Sequence, residues 1–295
     1  METQLGLVVE GGGFRGIYAA GVLDVLHDLH LPFKGAIGVS AGAIHAASFV
    51  SGQKERSLRI YTRFCGDERF FSIKNWLKTG NIVDNEFCYH ELPSIHEPFE
   101  NEAFIKSSMN YYTTCTDLET GQATYLHLTD LDKEIDGLIA SASLPYVSHP
   151  VNFRGHLLLD GGCSDRVPLK AFESMGYTKN VVVLTQPRSH KVKDRDAWLA
   201  RLFYRKYPEF CRTFERSPQA YEATQRYIDE AKAQKRAFVI RPKEPLNIPR
   251  LTHNPDDVRR GYEAGKRDAR SSRPAREDVL VETQFLAQLR PRSVD

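Results

Sequence analysis

An α/β fold with a mainly parallel central sheet is predicted by three features of this 295-residue sequence. Residues 5–9 are a short apolar run ending in Glu10-Gly11-Gly12-Gly13-Phe14-Arg15-Gly16, the pattern of a buried strand that passes through a glycine turn into a helix. Ile17, Ala20, Leu23, Val25, Leu26 and Leu29 then recur at roughly helical spacing until Pro32 stops them, and a second strand is expected over about 34–39. Together they make one βαβ unit of ordinary length. Such a unit puts the glycine turn and the residue after the second strand at the same carboxyl edge of a parallel sheet. That residue is Ser40, in Gly38-Val39-Ser40-Ala41-Gly42.

The helix after Ser40 is expected to run to Gly52, a natural C-cap. Residues 53–100 show a broken helical pattern rich in aromatics, such as Tyr61, Phe64, Trp76 and Tyr89, and read as a helical cover. Runs 109–115 and 122–128 are β-like and joined by Asp117-Leu118-Glu119-Thr120-Gly121, which predicts a strand pair. A short helix over 135–143 stops at Leu144-Pro145. A second hairpin, 151–153 and 156–159 about Arg154-Gly155, terminates in Asp160-Gly161-Gly162. After it come a helix over 168–174, a buried strand over 181–185, a polar helix over 217–235, a last core strand over 237–240 and a charged helix over 254–269 opened by Asn-Pro.

Bulk properties exclude several classes. With 40 basic against 38 acidic residues the net charge is +2, which gives no global case for a nucleic-acid partner. Cys65, Cys88, Cys115, Cys163 and Cys211 are odd in number and unpaired in spacing, so they predict free thiols in a reducing compartment, not disulfides or a zinc site. The first residues lack the basic region of a signal peptide, and the longest apolar stretch, 36–50, is too short to cross a bilayer. A cytoplasmic protein with no metal is expected. One stretch departs from the average: 188–216 carries nine Lys or Arg against four acids. Trp198, Leu199, Leu202 and Phe203 would share a helical face there, with Arg201, Arg205 and Lys206 beside it. Two readings stand. The helix attaches to an anionic lipid surface, or it packs its Trp-Leu face on the sheet and solvates its arginines.

The chemistry centres on Ser40. The spacing Gly38-x-Ser40-x-Gly42 is that of a nucleophile elbow, a tight strand-to-helix turn with no room for side chains beside the serine. Alone, the pattern would arise by chance in about one chain in ten of this length. The glycine turn supplies context. Gly11, Gly13 and Gly16 satisfy a dinucleotide fingerprint, but the second strand ends in Val39-Ser40 instead of an acid for the ribose hydroxyl, so no dinucleotide is expected. The second reading is an oxyanion hole, in which glycines let N–H groups at a helix N-terminus converge on a developing alkoxide. Arg15 would orient that loop or meet a phosphate-bearing substrate. A plain packing turn is the third reading.

A serine hydroxyl needs a base. Asp160 follows the apolar Leu157-Leu158-Leu159, and the two glycines after it allow another segment to approach its carboxylate. At a reference pKa of about 3.9 an aspartate is a weak base, but partial burial without a cationic partner raises it. Its other reading is a turn-initiating Asp. Ser40, Asp160 and either His190 or His253 have the chain order of a hydrolase triad. Both histidines read better as solvated or capping residues, and His45 as a helix-packing one.

In this order and at these spacings, Gly11 to Gly16, Gly38 to Gly42 and Asp160-Gly161-Gly162 resemble the three signatures of the patatin-like phospholipase family. Ser141-Ala142-Ser143-Leu144-Pro145 and Asp165-Arg166-Val167-Pro168 resemble further segments of it, and the likeness covers residues 5–185. The resemblance implies a three-layer α/β/α sandwich and a catalytic dyad of Ser40 and Asp160 with no histidine. It also implies an oxyanion hole from Gly11, Gly12, Gly13, Arg15 and Gly16, with Gly38, Gly42, Gly161 and Gly162 flanking nucleophile and base. The expected protein is a serine acyl-ester hydrolase acting on lipids without a cofactor, cytoplasmic, and peripheral at the inner face of a membrane if 188–216 binds there. Residues 1–269 would form a single catalytic domain, with 270–295 a C-terminal tail. A general carboxylesterase with a Ser-Asp-His triad, or a non-catalytic binding protein on the same fold, are the alternatives.

Overall fold

The computed structural model describes residues 4–192, 197–249 and 251–272. Its strands are β1 (Leu5–Val9), β2 (Phe33–Val39), β3 (Asn110–Asp117), β4 (Ala123–Leu128), β5 (Val151–Phe153), β6 (His156–Asp160), β7 (Lys179–Val183) and β8 (Ala237–Ile240). Its helices are α1 (Ile17–Asp28), α2 (Ala41–Val50), α3 (Arg56–Phe64), α4 (Ile73–Thr79), α5 (Asn101–Ile105), α6 (Leu131–Ala142), α7 (Leu169–Ser174), α8 (Ala197–Phe203), α9 (Pro208–Ala233) and α10 (Pro255–Ser271), with a π-helix over Phe87–His96.

All eight strands join one sheet in the order β5-β6-β3-β2-β1-β7-β8, with β4 paired to β3. The run from β3 through β2, β1 and β7 to β8 is parallel, while β4, β5 and β6 are added antiparallel. A strand buried on both faces must be apolar at consecutive positions, which is why Leu7-Val8-Val9 shows no alternation. Leu7 and Val9 pack with residues of α1, α2, α5, α6 and α10, whereas Val8 packs with α7 and α9. The result is a three-layer α/β/α sandwich with a mainly parallel sheet. Because β1 lies between β2 and β7, the chain leaves its carboxyl end at the point where the strand order reverses, the crevice where open α/β sheets bind ligands.

The helical cover over 53–100 resolves into α3, α4 and the π-helix. Phe64 of α3 and Phe87 and Leu92 of the π-helix pack with Phe14 and with Val258 and Tyr262 of α10. Two expected boundaries are corrected. The helix read as 217–235 begins at Pro208, because Ser217-Pro218 imitates a helix start while Pro208 occupies the true first turn. The last helix runs to Ser271, two residues into the expected tail, and residues 273–295 lie outside the described residues.

The two longest-separated helices are joined by a reciprocal pair of polar contacts. Tyr18 of α1 donates to Asp268 of α10 at 3.1 Å, and Tyr262 of α10 donates to Asp24 of α1 at 2.6 Å. Burial raises the pKa of Asp24. Tyr262→Phe deletes the donor and leaves a partly buried carboxylate short of a partner, an expected cost of about 1–3 kcal/mol. Urea unfolding of the variant checks this, and a midpoint equal to wild type would contradict it.

Candidate active site

Parallel strand β2 turns into α2 within one residue. Ser40 has φ of 55° and ψ of −130°, a disfavoured backbone for a residue with a side chain. Packing enforces the turn. A Cβ at Gly42 would stand 2.6 Å from the carbonyl oxygens of both Val9 and Glu10, so α2 can begin against the end of β1 only if that position is glycine. A Cβ at Gly11 would meet Val39 O at 2.7 Å and Ser40 Cβ at 2.9 Å. The glycine loop and the elbow therefore touch backbone to backbone, while Gly38 lies beneath the first turn of α2 against Ala43.

Asp160 reaches the same place through register. Along the edge of β3 opposite β4, residues 110–114 pair with parallel β2 and residues 115–117 with antiparallel β6. Val39 stands beside Thr114 and Asp160 beside Cys115, so the two strands meet end to end with Ser40 at the junction. Asp160 is 3% exposed. Its Oδ1 accepts the Gly162 N–H at 2.7 Å, and Gly161 lies on the main chain of Thr114. The end of α6 holds both partners. Ser141 Oγ accepts the Ser40 N–H at 3.1 Å and donates to Thr114 O at 2.7 Å, while Ser143 O accepts the Asp160 N–H at 2.8 Å.

The loop Gly11 to Gly16 closes over this junction. Its second half is a 3-10 turn, Gly13–Gly16, leading directly into α1. Among the described residues no acceptor takes the Gly12 N–H. Arg15 donates to Gln186, whose amide oxygen faces its guanidinium at 2.9 Å, and Gly16 lies against Ala41 and His45. Thr185 donates to Gly11 O at 2.7 Å. Beneath the loop sits Glu10, whose carboxylate accepts from the Thr185 N–H and the Tyr221 hydroxyl, each at 2.7 Å. Burial raises its pKa. Ser141 and Ser143 lie in the segment whose likeness to the family was noted in the sequence, whereas Glu10, Thr185 and Tyr221 were not singled out as functional; only an acid ending a buried apolar strand hinted at the first.

A cavity of about 400 Å³ opens above Ser40. Phe14, Ile44, Ile60, Phe70, Phe71 and Leu138 give it apolar walls, and Gly13 and Ser40 also line it. His253 Nδ1 contacts Cys65 O at 2.9 Å, and buried His45 contacts Ser57 Oγ at 2.8 Å, with its pKa pushed down to about 3 by desolvation. His90 of the π-helix lines the cavity, a residue sequence reasoning did not weigh.

On α8, Trp198, Leu202 and Phe203 are 67%, 64% and 60% exposed. Of the two readings, the one that packs this face on the sheet is not met: among the described side chains of α8 only Ala200 is buried, and Arg201 pairs with Glu215. Lys193, Asp194, Arg195 and Asp196 lie outside the described residues.

Comparison with known proteins adds three findings. Residues 7–173 match the family model for patatin-like phospholipase, and residues 207–280 match a domain of unknown function, DUF6363. Uncharacterized protein YjjU of Escherichia coli (strain K12) is 27% identical over 271 residues, which cover 89% of this chain and 75% of that protein. Neuropathy target esterase sws of Drosophila melanogaster is 25% identical over 81% of this chain but 18% of its own length. The mouse 1-acylglycerol-3-phosphate O-acyltransferase Pnpla3 is 29% identical over 57% of this chain and 41% of its own. The chain thus spans less than half of either animal relative. The structure of VipD from Legionella pneumophila aligns over 92% of this chain and 66% of its own at 11% identity, with a TM-score of 0.45.

Glu10 yields a prediction with a sign. Its folded pKa is raised above 4.5, so the folded protein binds a proton more readily than the unfolded chain above that pH. The contribution is fully present below 4.5 and is lost as pH rises through the folded pKa. Glu10→Gln should remove that fall from the stability-against-pH curve, measured by urea unfolding at successive pH values. An identical slope in both proteins would contradict it.

Proposed function

The chain belongs to the patatin-like phospholipase family, and from that premise we propose that it is a serine acyl-ester hydrolase of lipids acting through Ser40, Asp160 and an acyl-enzyme. Family and relatives support a lipid hydrolase in general. The dyad, the phospholipase or lysophospholipase type of substrate and the membrane partner are our reading. Its chief support is the shared edge of β3, where the strand ends bearing Ser40 and buried Asp160 meet below an apolar cavity fit for an acyl chain.

In this mechanism Ser40 Oγ attacks the ester carbonyl carbon while the Asp160 carboxylate takes the hydroxyl proton. The carbonyl oxygen becomes an alkoxide facing the N–H groups of Gly11, Gly12 and Gly13 at the start of α1, with the helix dipole behind them. Collapse breaks the bond to the alcohol, and Asp160 returns the proton to the departing oxygen. Water then attacks the acyl-serine, Asp160 accepts its proton, and the fatty acid leaves as the proton returns to Ser40. Arg15, tied to Gln186, orients the loop. Pnpla3 is named an acyltransferase, and the same acyl-enzyme could pass its acyl group to an alcohol; water is the acceptor proposed here. No dinucleotide and no cofactor enters the scheme.

A second reading rests on His90 in the cavity wall, which would make a Ser-Asp-His triad. Ser40→Ala and Asp160→Asn are expected to lower kcat on p-nitrophenyl butyrate by at least about 10³-fold, and His90→Ala by less than about tenfold. Full activity in either of the first two would end the dyad, and collapse in the third would favour the triad.

We further propose residues 1–269 as one catalytic domain, cytoplasmic and peripheral at an anionic membrane through 188–216. The exposed Trp198, Leu202 and Phe203 support the contact, five free thiols support a reducing compartment, and no helix among the described residues is long and apolar enough to cross a membrane. Phosphatidylglycerol vesicles should co-sediment the protein at low salt and release it at high salt. Phe203→Asp should weaken binding. If wild type ignores these vesicles, the membrane contact is lost.

A further inference from the structure

The glycine loop is held from behind by residues of both matched segments. Glu10 follows β1 and, by the alternation that sends Val8 toward α7 and α9, its side chain enters the layer away from α1. It is 5% exposed, with its two oxygens divided between partners. Oε1 accepts from Tyr221 of α9 at 2.7 Å, and Oε2 accepts the Thr185 N–H at 2.7 Å. The Thr185 hydroxyl has one proton and stands 2.7 Å from Gly11 O but 3.2 Å from Glu10 Oε2, so the shorter contact takes it. A buried carboxylate that accepts from two donors, the Tyr221 hydroxyl and the Thr185 N–H, cannot shift without stranding one of them. The chain Tyr221, Glu10, Thr185, Gly11 O is therefore stiff.

Covalent geometry transmits that stiffness forward. In a planar trans peptide the C=O of Gly11 and the N–H of Gly12 point in opposite directions. Fixing Gly11 O on Thr185 aims the Gly12 N–H away from Thr185, and it is a donor for which no described residue supplies an acceptor. Gln186, the next residue, grips Arg15 at the other end of the same loop. Without these anchors a run of three glycines would be free to rotate that peptide.

We propose that Tyr221, Glu10 and Thr185 are positioning residues that lock the Gly11–Gly12 peptide in its oxyanion-binding orientation, which makes α9 of the DUF6363 segment a working part of the hydrolase site. The proposal rests on the acyl-hydrolase reading above. It assigns that segment a role in turnover and not only in stability.

Thr185→Val keeps the shape and removes the proton, Thr185→Ser restores it, and Tyr221→Phe removes the far donor. On p-nitrophenyl butyrate, Thr185→Val is expected to lower kcat about 10- to 100-fold, short of the full loss of an oxyanion donor, with KM within about twofold. Thr185→Ser should recover most of the rate, and Tyr221→Phe should lose less than Thr185→Val. Hydrogen–deuterium exchange should show faster exchange confined to residues 9–16 in Thr185→Val and Tyr221→Phe. Wild-type kcat in Thr185→Val, or a serine variant no better than the valine one, overturns the lock. An inactive wild-type protein would overturn the hydrolase reading instead. Exchange would then still decide the lock, because unchanged protection over 9–16 in both variants refutes it.

Discussion

One edge of β3 serves two strands, and the placement of the site depends on that division. Parallel β2 takes residues 110–114 and antiparallel β6 takes 115–117, so two chains running in opposite directions stop facing each other. Neither partner position is negotiable, since each is fixed by main-chain ladder bonds whose slippage by one residue would turn every side chain to the wrong face. The serine and the aspartate are 120 residues apart in sequence, yet their spacing is set by consecutive residues of a third strand. Ser141 and Ser143 tie the same junction from the end of α6, so α6, β2, β3 and β6 converge on it.

The glycines solve a different problem, that of bringing main chain to main chain. At Gly42 and Gly11 the approach leaves no space for a methyl group, which lets the first turn of α2, the end of β1 and the loop before α1 lie in contact. Close approach gains precision of position but gives up stiffness of the loop itself. The carboxylate of Glu10, held by the Thr185 N–H and the Tyr221 hydroxyl, restores it from the opposite layer of the sandwich. Burial of that carboxylate costs free energy that its hydrogen bonds only partly offset, consistent with its raised pKa.

Much of this was legible because the informative signals are local. The βαβ unit, the elbow and the Asp-Gly-Gly each need only a few consecutive residues, the strand pair within 109–128 was readable from β-like runs about a turn, and the last strand from a short apolar run. What escaped was non-local or ambiguous. Tyr221 meets Glu10 across 211 residues, and nothing in the pattern of a polar helix marks one tyrosine as facing inward. Pro218 concealed the first nine residues of α9 because proline is at home in a first turn and tolerated here in the interior. Trp198, Leu202 and Phe203 showed the periodicity of a buried face, but periodicity defines a face without saying what covers it. His90 was overlooked because the π-helix that aims it into the cavity wall has no simple sequence signature.

The backbone of Ser40 carries one more implication. A side-chain-bearing residue at φ of 55° and ψ of −130° stores strain of roughly 1–3 kcal/mol that glycine would release. Under the mechanism proposed above, the residue that serves folding best at this position and the residue that supplies the nucleophile are different. A lineage relieved of the need for the hydroxyl would drift here toward glycine and become sturdier as it fell silent. Under that proposal, residue 40 of any descendant would record whether the hydroxyl is still needed.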